Sequence, residues 1–105
     1  MQKNNNKLFK LIENNNYQEL FDFIQDKHAD IDLEIINDDN ETPLILSTKL
    51  GYTNISIFLL SFGANLDVVD NFGFSPLLYS CINNMIELVK YIFVNNINND
   101  NKHNI

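Results

Sequence analysis

The chain has 105 residues, 45% of them hydrophobic, which suffices for one domain with one modest core and leaves no room for a second. Fourteen acids against seven lysines, with no arginine, give a formal charge of −7; this excludes the clustered cations that nucleic acid or an anionic membrane surface requires. The single Cys81 excludes an internal disulfide, and no apolar stretch has the length of a signal-peptide core or a membrane span, so a soluble, cytoplasmic protein is expected.

Residues 1–6 carry no periodicity and are expected to be disordered. From Lys7 onward, Leu8, Leu11 and Ile12 fall at i, i+3, i+4, the apolar face of a short helix. Asn14–Asn16 end it, since Asn tolerates the left-handed conformation that closes a helix. Tyr17 to Ile24 predict a second helix that buries Leu20, Phe21, Phe23 and Ile24. His28 follows as a helix stop with positive φ. It has no metal-ligand partner nearby, because the other histidine is His103 in the tail. An acidic run comes next, with Asp26, Asp30, Asp32, Glu34, Asp38, Asp39 and Glu41 opposed only by Lys27. It reads as a solvated link that could also steer a basic partner.

Thr42-Pro43 opens the third helix: the Thr oxygen caps free amides and Pro fits the first turn, where no donor is needed. Leu44, Ser47 and Thr48 face inward, Gly51 closes this helix, Ile55, Phe58, Leu59 and Leu60 form the next, and Gly63 closes that one. A turn at Asp70-Asn71-Phe72-Gly73 follows. The plan then returns 33 residues on, in the pairs Thr42/Ser75, Pro43/Pro76, Leu44/Leu77, Ser47/Ser80, Ile55/Leu88, Leu59/Ile92 and Leu60/Phe93, with Asn84 in place of Gly51. A shift of 36 brings Leu8 onto Leu44, Asn15 onto Gly51 and Ile24 onto Leu60, so the first copy carries three inserted residues. The expected units are residues 7–36, 37–69 and 70–100, followed by a tail at 101–105. The last helix, Met85 to Val94, is apolar all round, which asks for something to cover it, and beyond it the pattern dissolves into NNINNDNKHNI. A helix pair of this size buries only one side of itself, so each unit is stabilised mainly by stacking on the next.

A period of 33, with T-P-L opening the first helix, Gly closing it and L-L-x-x-G-A-N-x-D closing the second, resembles the ankyrin repeat. The resemblance covers roughly residues 7–100. It implies an all-α solenoid, an ankyrin-like stack of helix-turn-helix units with short β-hairpin-like turns. The chain departs from the family where Ile45 and Leu78 replace the usual His after T-P-L, and where Asn40, Asn84 and Asn96 replace glycines. The resemblance further implies no active site and no cofactor, but a concave surface made of turn tips and the exposed faces of the first helices. At the matching positions stand Asp38, Asp39, Glu41, Lys49 and Leu50 in the middle unit, Val69, Asn71, Phe72, Phe74, Ile82 and Asn83 in the third, and Glu13 and Asn14 in the first. One end of that surface is acidic and the other apolar. Phe72 and Phe74 are read as a contact site or, equally, as rings folded back on their neighbours. Cys81 falls where the family places small core residues and is expected to be buried.

No Gly-rich phosphate loop, G-x-S-x-G element or metal-spaced His/Cys/acid group is present, which argues against an enzyme. A protein partner with a basic and an apolar patch fits the implied surface, with no nucleic acid and no membrane. The alternative is a structural one: the end of a longer array, or a homo-oligomer joined through the C-terminal helix. Asparagine over-use reads as the mark of an AT-biased genome, and a small protein of this kind suits a virus or intracellular microbe acting in host cytoplasm by analogy alone.

Overall fold

The computed structural model describes residues 2–27 and 30–104, so the helix stop expected at His28 lies outside the described residues. Six helices follow in order: α1 (Gln2–Glu13), α2 (Tyr17–Lys27), α3 (Pro43–Lys49), α4 (Thr53–Ser61), α5 (Pro76–Ile82) and α6 (Ile86–Asn104). No strand occurs among the described residues, and no helix among them is long and apolar enough to cross a membrane. Each odd-numbered helix packs on the even-numbered one that follows it. α1, α3 and α5 form a row in which neighbours touch, while α4 packs on α6. α2 meets α4 through aromatic rings, Tyr17 and Phe21 lying 5.7 and 5.3 Å from Phe58. The result is a three-layer stack of helix pairs measuring 41 × 28 × 23 Å.

The helix starts follow from their caps. Thr42 Oγ1 accepts from the Ile45 amide at 3.2 Å and Ser75 Oγ from the Leu78 amide at 3.1 Å, each with Pro in the next position. The stops share one device. Asn15, Gly51, Gly63 and Asn84 all have positive φ, and at each the residue and its successor donate back to carbonyls of the last turn. At Gly51, for example, its own amide reaches Thr48 O at 3.1 Å and the Tyr52 amide reaches Ser47 O at 2.9 Å.

Two helix ends differ from the sequence reading. α1 begins at Gln2, so residues 2–6 are helical rather than disordered, and α6 runs through Asn96 to Asn104 instead of stopping near Val94. Both stretches are Asn-rich but hold no Gly or Pro, and Asn costs at most ~0.7 kcal/mol per residue in a helix that is already nucleated. Asn95 even supports the extension, its side-chain amide donating to Tyr91 O at 2.8 Å.

The core has two parts. One joins Leu8, Leu11, Ile12, Leu20 and Ile24 of the first unit to Leu44, Ile55, Phe58 and Leu59 of the second. The other gathers Met85 with Leu88 and Ile92 of α6, on which Ile57 and Leu60 of α4 pack. Between α3 and α4 small residues meet: Ser47 and Ser56 are fully buried, with their hydroxyls 2.7 Å apart.

Candidate functional site

Two turns of the same design project beside the row of first helices. Asn37 Oδ1 accepts from the amides of Asp39 (3.0 Å) and Glu41 (2.9 Å), and 33 residues later Asp70 Oδ1 accepts from those of Phe72 (2.9 Å) and Phe74 (3.0 Å). A backbone pair closes each, Asn37 N to Glu41 O at 3.1 Å and Asp70 N to Phe74 O at 3.0 Å. The required left-handed residue is Asn40 (φ 62°) in one and Gly73 (φ 81°) in the other. These bonds fix Asp38 and Asp39 at one tip and Asn71 and Phe72 at the next.

Beneath the tips lies a buried polar network. Glu41, expected at the surface, is only 3% exposed: its carboxylate takes Lys49 Nζ at 2.7 Å and Asn37 Nδ2 at 2.9 Å. The position alternates inward as the turn returns to α3, and the ion pair compensates the burial. The hydrogen bond to Glu41 raises the Lys49 pKa above its ordinary value against partial burial, with the charges of Glu41, Asp39 and Asp70 adding to it. Burial pushes the Asp70 carboxyl up. The Tyr79 hydroxyl, the Phe74 and Phe72 amides and the Lys49 charge outweigh it, so Asp70 titrates below the ordinary carboxylate value. Tyr79 donates to Asp70 Oδ2, and burial, that bond and the charges of Asp70 and Glu41 push its pKa up to about 12.

The residues at the implied binding positions divide into exposed and committed ones. Phe72 is 75% exposed, Ile82 58%, Val69 52% and Leu50 41%. Asp38, Asp39, Asn71, Glu13 and Asn14 are exposed as well. Phe74 is only partly available, since its ring packs edge-on against Tyr79 at 5.3 Å. Asn83 is spent on the stack: its amide donates to Thr48 O (2.7 Å) and Lys49 O (3.0 Å), satisfying the end of α3 from the next unit. The ion-pair position of the middle unit becomes apolar in the third, where Phe74 and Ile82 stand in register with Glu41 and Lys49.

Two exposed residues escaped the sequence reading. Leu78 is open although its counterpart Ile45 is fully buried, and Cys81, expected in the core, is exposed although its counterpart Thr48 is buried. The helical pattern is the same in both units; only the layer that would cover the third is missing among the described residues. An open groove between the 61–67 loop and α6, lined by Leu60, Ser61, Asn65, Asp67, Tyr91 and Asn95 among others, takes in none of the turn-tip residues.

Residues 8–103 match a family described as ankyrin repeats in three copies. The chain belongs to the ankyrin-repeat family. The solved structure of a predatory endopeptidase from Bdellovibrio bacteriovorus in complex with an immunity protein contains a similar chain, with a TM-score of 0.69 and 24% identity over 82% of this chain. That likeness shows the fold alone, and the ankyrin chain spans 44% of the length of its counterpart there. Within this ankyrin array, the His usual after T-P-L is replaced by a buried Ile45, and other groups tie the units together. They are Asn83 on α3 and the Asn65 amide on Glu34 Oε2 at 2.9 Å.

Proposed function

We propose that this ankyrin-repeat domain is a non-catalytic protein-binding module, an adaptor or scaffold element that receives its partner on the turn tips and the exposed flank of α3 and α5. The observation that carries the reading is Phe72, a phenyl ring 75% exposed on a turn that four hydrogen bonds hold in place. An aromatic side chain displayed on a rigid mount is the usual anchor of a protein interface, because little conformational entropy remains to be lost on binding. Val69, Leu50 and Ile82 extend the apolar contact, while Asp38 and Asp39 at the neighbouring tip favour a partner that carries basic residues beside an apolar patch. Ankyrin repeats typically bind proteins, which supports the same class of role. The cytoplasm suits a chain with one unpaired cysteine.

The test begins with recovery of the partner from the source cells on immobilised domain. Phe72→Ala should then weaken its binding by about 2 kcal/mol, roughly 30-fold. Asp38→Lys with Asp39→Lys should slow association and flatten its salt dependence. Undiminished affinity of Phe72→Ala, with an unchanged circular dichroism spectrum, rejects the site.

A further inference from the structure

The two ends of the stack are chemically unequal, and the repeat register shows why. In α3, Ile45 is fully buried, and Leu46 is buried within the cluster shared with the first unit. One unit later, Leu78 inherits the first position and is 41% exposed, while Tyr79 inherits the second and is buried. Phe74, Cys81 and Phe93 are likewise exposed where Glu41, Thr48 and Leu60 are buried or half-buried. The opposite end is finished: Lys10, exposed, occupies the position of Leu46 and Tyr79 in the first unit. The open end therefore repeats the unit-to-unit stacking surface already used twice inside the molecule.

Charge narrows what can lie against it. The whole formal charge of −7 resides in residues 1–70, where twelve acids meet five lysines; residues 71–105 hold two of each. α5, with the sequence PLLYSCI, has no charged residue at all. On α6, Lys90 replaces the inward-facing Ile57 and sits 3.9 Å from Glu87 while Phe93 stays apolar and exposed, so the apolar zone centres on α5 and reaches α6 at Phe93.

We propose that this face is a homodimer interface, in which two copies meet α5 to α5 about a twofold axis and bury Leu78, Phe74 and Phe93. The isologous arrangement matches one uncharged surface to itself and carries the acidic halves to opposite ends of the dimer. Head-to-tail stacking would instead press apolar α5 onto Lys10 and the acidic half of the next copy, burying charge without a partner.

Sedimentation equilibrium of the intact chain over a concentration series should show a reversible monomer–dimer equilibrium. Leu78→Lys with Phe93→Lys should raise its dissociation constant about tenfold or more, with an unchanged circular dichroism spectrum, because each copy then buries unpaired cations. Gln25→Ala, at an exposed position on α2, should leave it unchanged. Without any variant in the contact, a short bismaleimide should trap a covalent dimer through Cys81, and Cys81→Ser should abolish the product. A wild-type monomer up to the solubility limit, as expected if another protein or a further unit occupies the face, overturns the proposal. So does a dimer that the double lysine variant leaves intact.

Discussion

The Asp70 carboxylate is 5% exposed and remains charged because the Phe72 and Phe74 amides, the Tyr79 hydroxyl and the nearby Lys49 ammonium offset the loss of water. Its pH linkage has a definite sign. A carboxyl that titrates below its ordinary 3.8 in the folded chain contributes stability above that value and loses it as pH falls through the folded pKa. Lys49 and Tyr79 act at the other limit. Their pKa values are raised from 10.5 and 10.0, Tyr79's to about 12, so their contribution is complete below about pH 10 and is lost as pH rises through their folded values. Urea unfolding should accordingly give a plateau through neutral pH, bounded by an alkaline decline above about pH 10 and an acid decline below about pH 4. Tyr79→Phe removes a hydrogen bond to a charged group and should cost about 1.5–3 kcal/mol while shallowing the alkaline decline. An alkaline limb identical to wild type would show that the network does not set it.

At the level of the helix, the four closing residues make a natural comparison, since two are Gly and two are Asn in one and the same backbone conformation. Asn84, at φ 54°, should tolerate Gly, whereas Asn84→Ala should lower the stability by about 1–2 kcal/mol in chemical denaturation, because alanine has neither the freedom of Gly nor a side chain that bonds locally. Equal stability of the Ala and Gly variants would contradict this. The same devices explain what could be read in advance. Thr-Pro, Ser-Pro, Gly and the Asn residues standing for Gly are local signals, and they located the stops at Asn15, Gly51, Gly63 and Asn84. The outer ends of α1 and α6 were not legible, because an Asn run neither propagates a helix strongly nor breaks one. Glu41 and Cys81 were misplaced for a different reason. The inward turn of one backbone residue and the presence or absence of a covering layer decide their burial, and neither is written in a single helix's spacing.

For the molecule as a whole, Leu60 and Leu66 pack against both parts of the core, so the middle unit couples the outer ones. Stability in such a stack is close to a sum of unit and nearest-neighbour contributions, and a domain of this size holds only about 5–15 kcal/mol in total. Leu59 is fully buried within the first core cluster, and Leu59→Ala should remove about 2–5 kcal/mol. The expected outcome is loss of most of the ellipticity at 37 °C in one cooperative step. A variant that melts only α3 and α4 while the outer units keep their helicity would argue against that coupling.

The contrast between Lys10 at one end and Leu78 at the other gives the array a grain. A helix pair grafted behind α5 would meet a ready-made seat, whereas one grafted ahead of α1 would first have to neutralise a lysine. Lengthening this scaffold by duplicated modules is thus a one-way operation, and the place to add them is beyond the third pair.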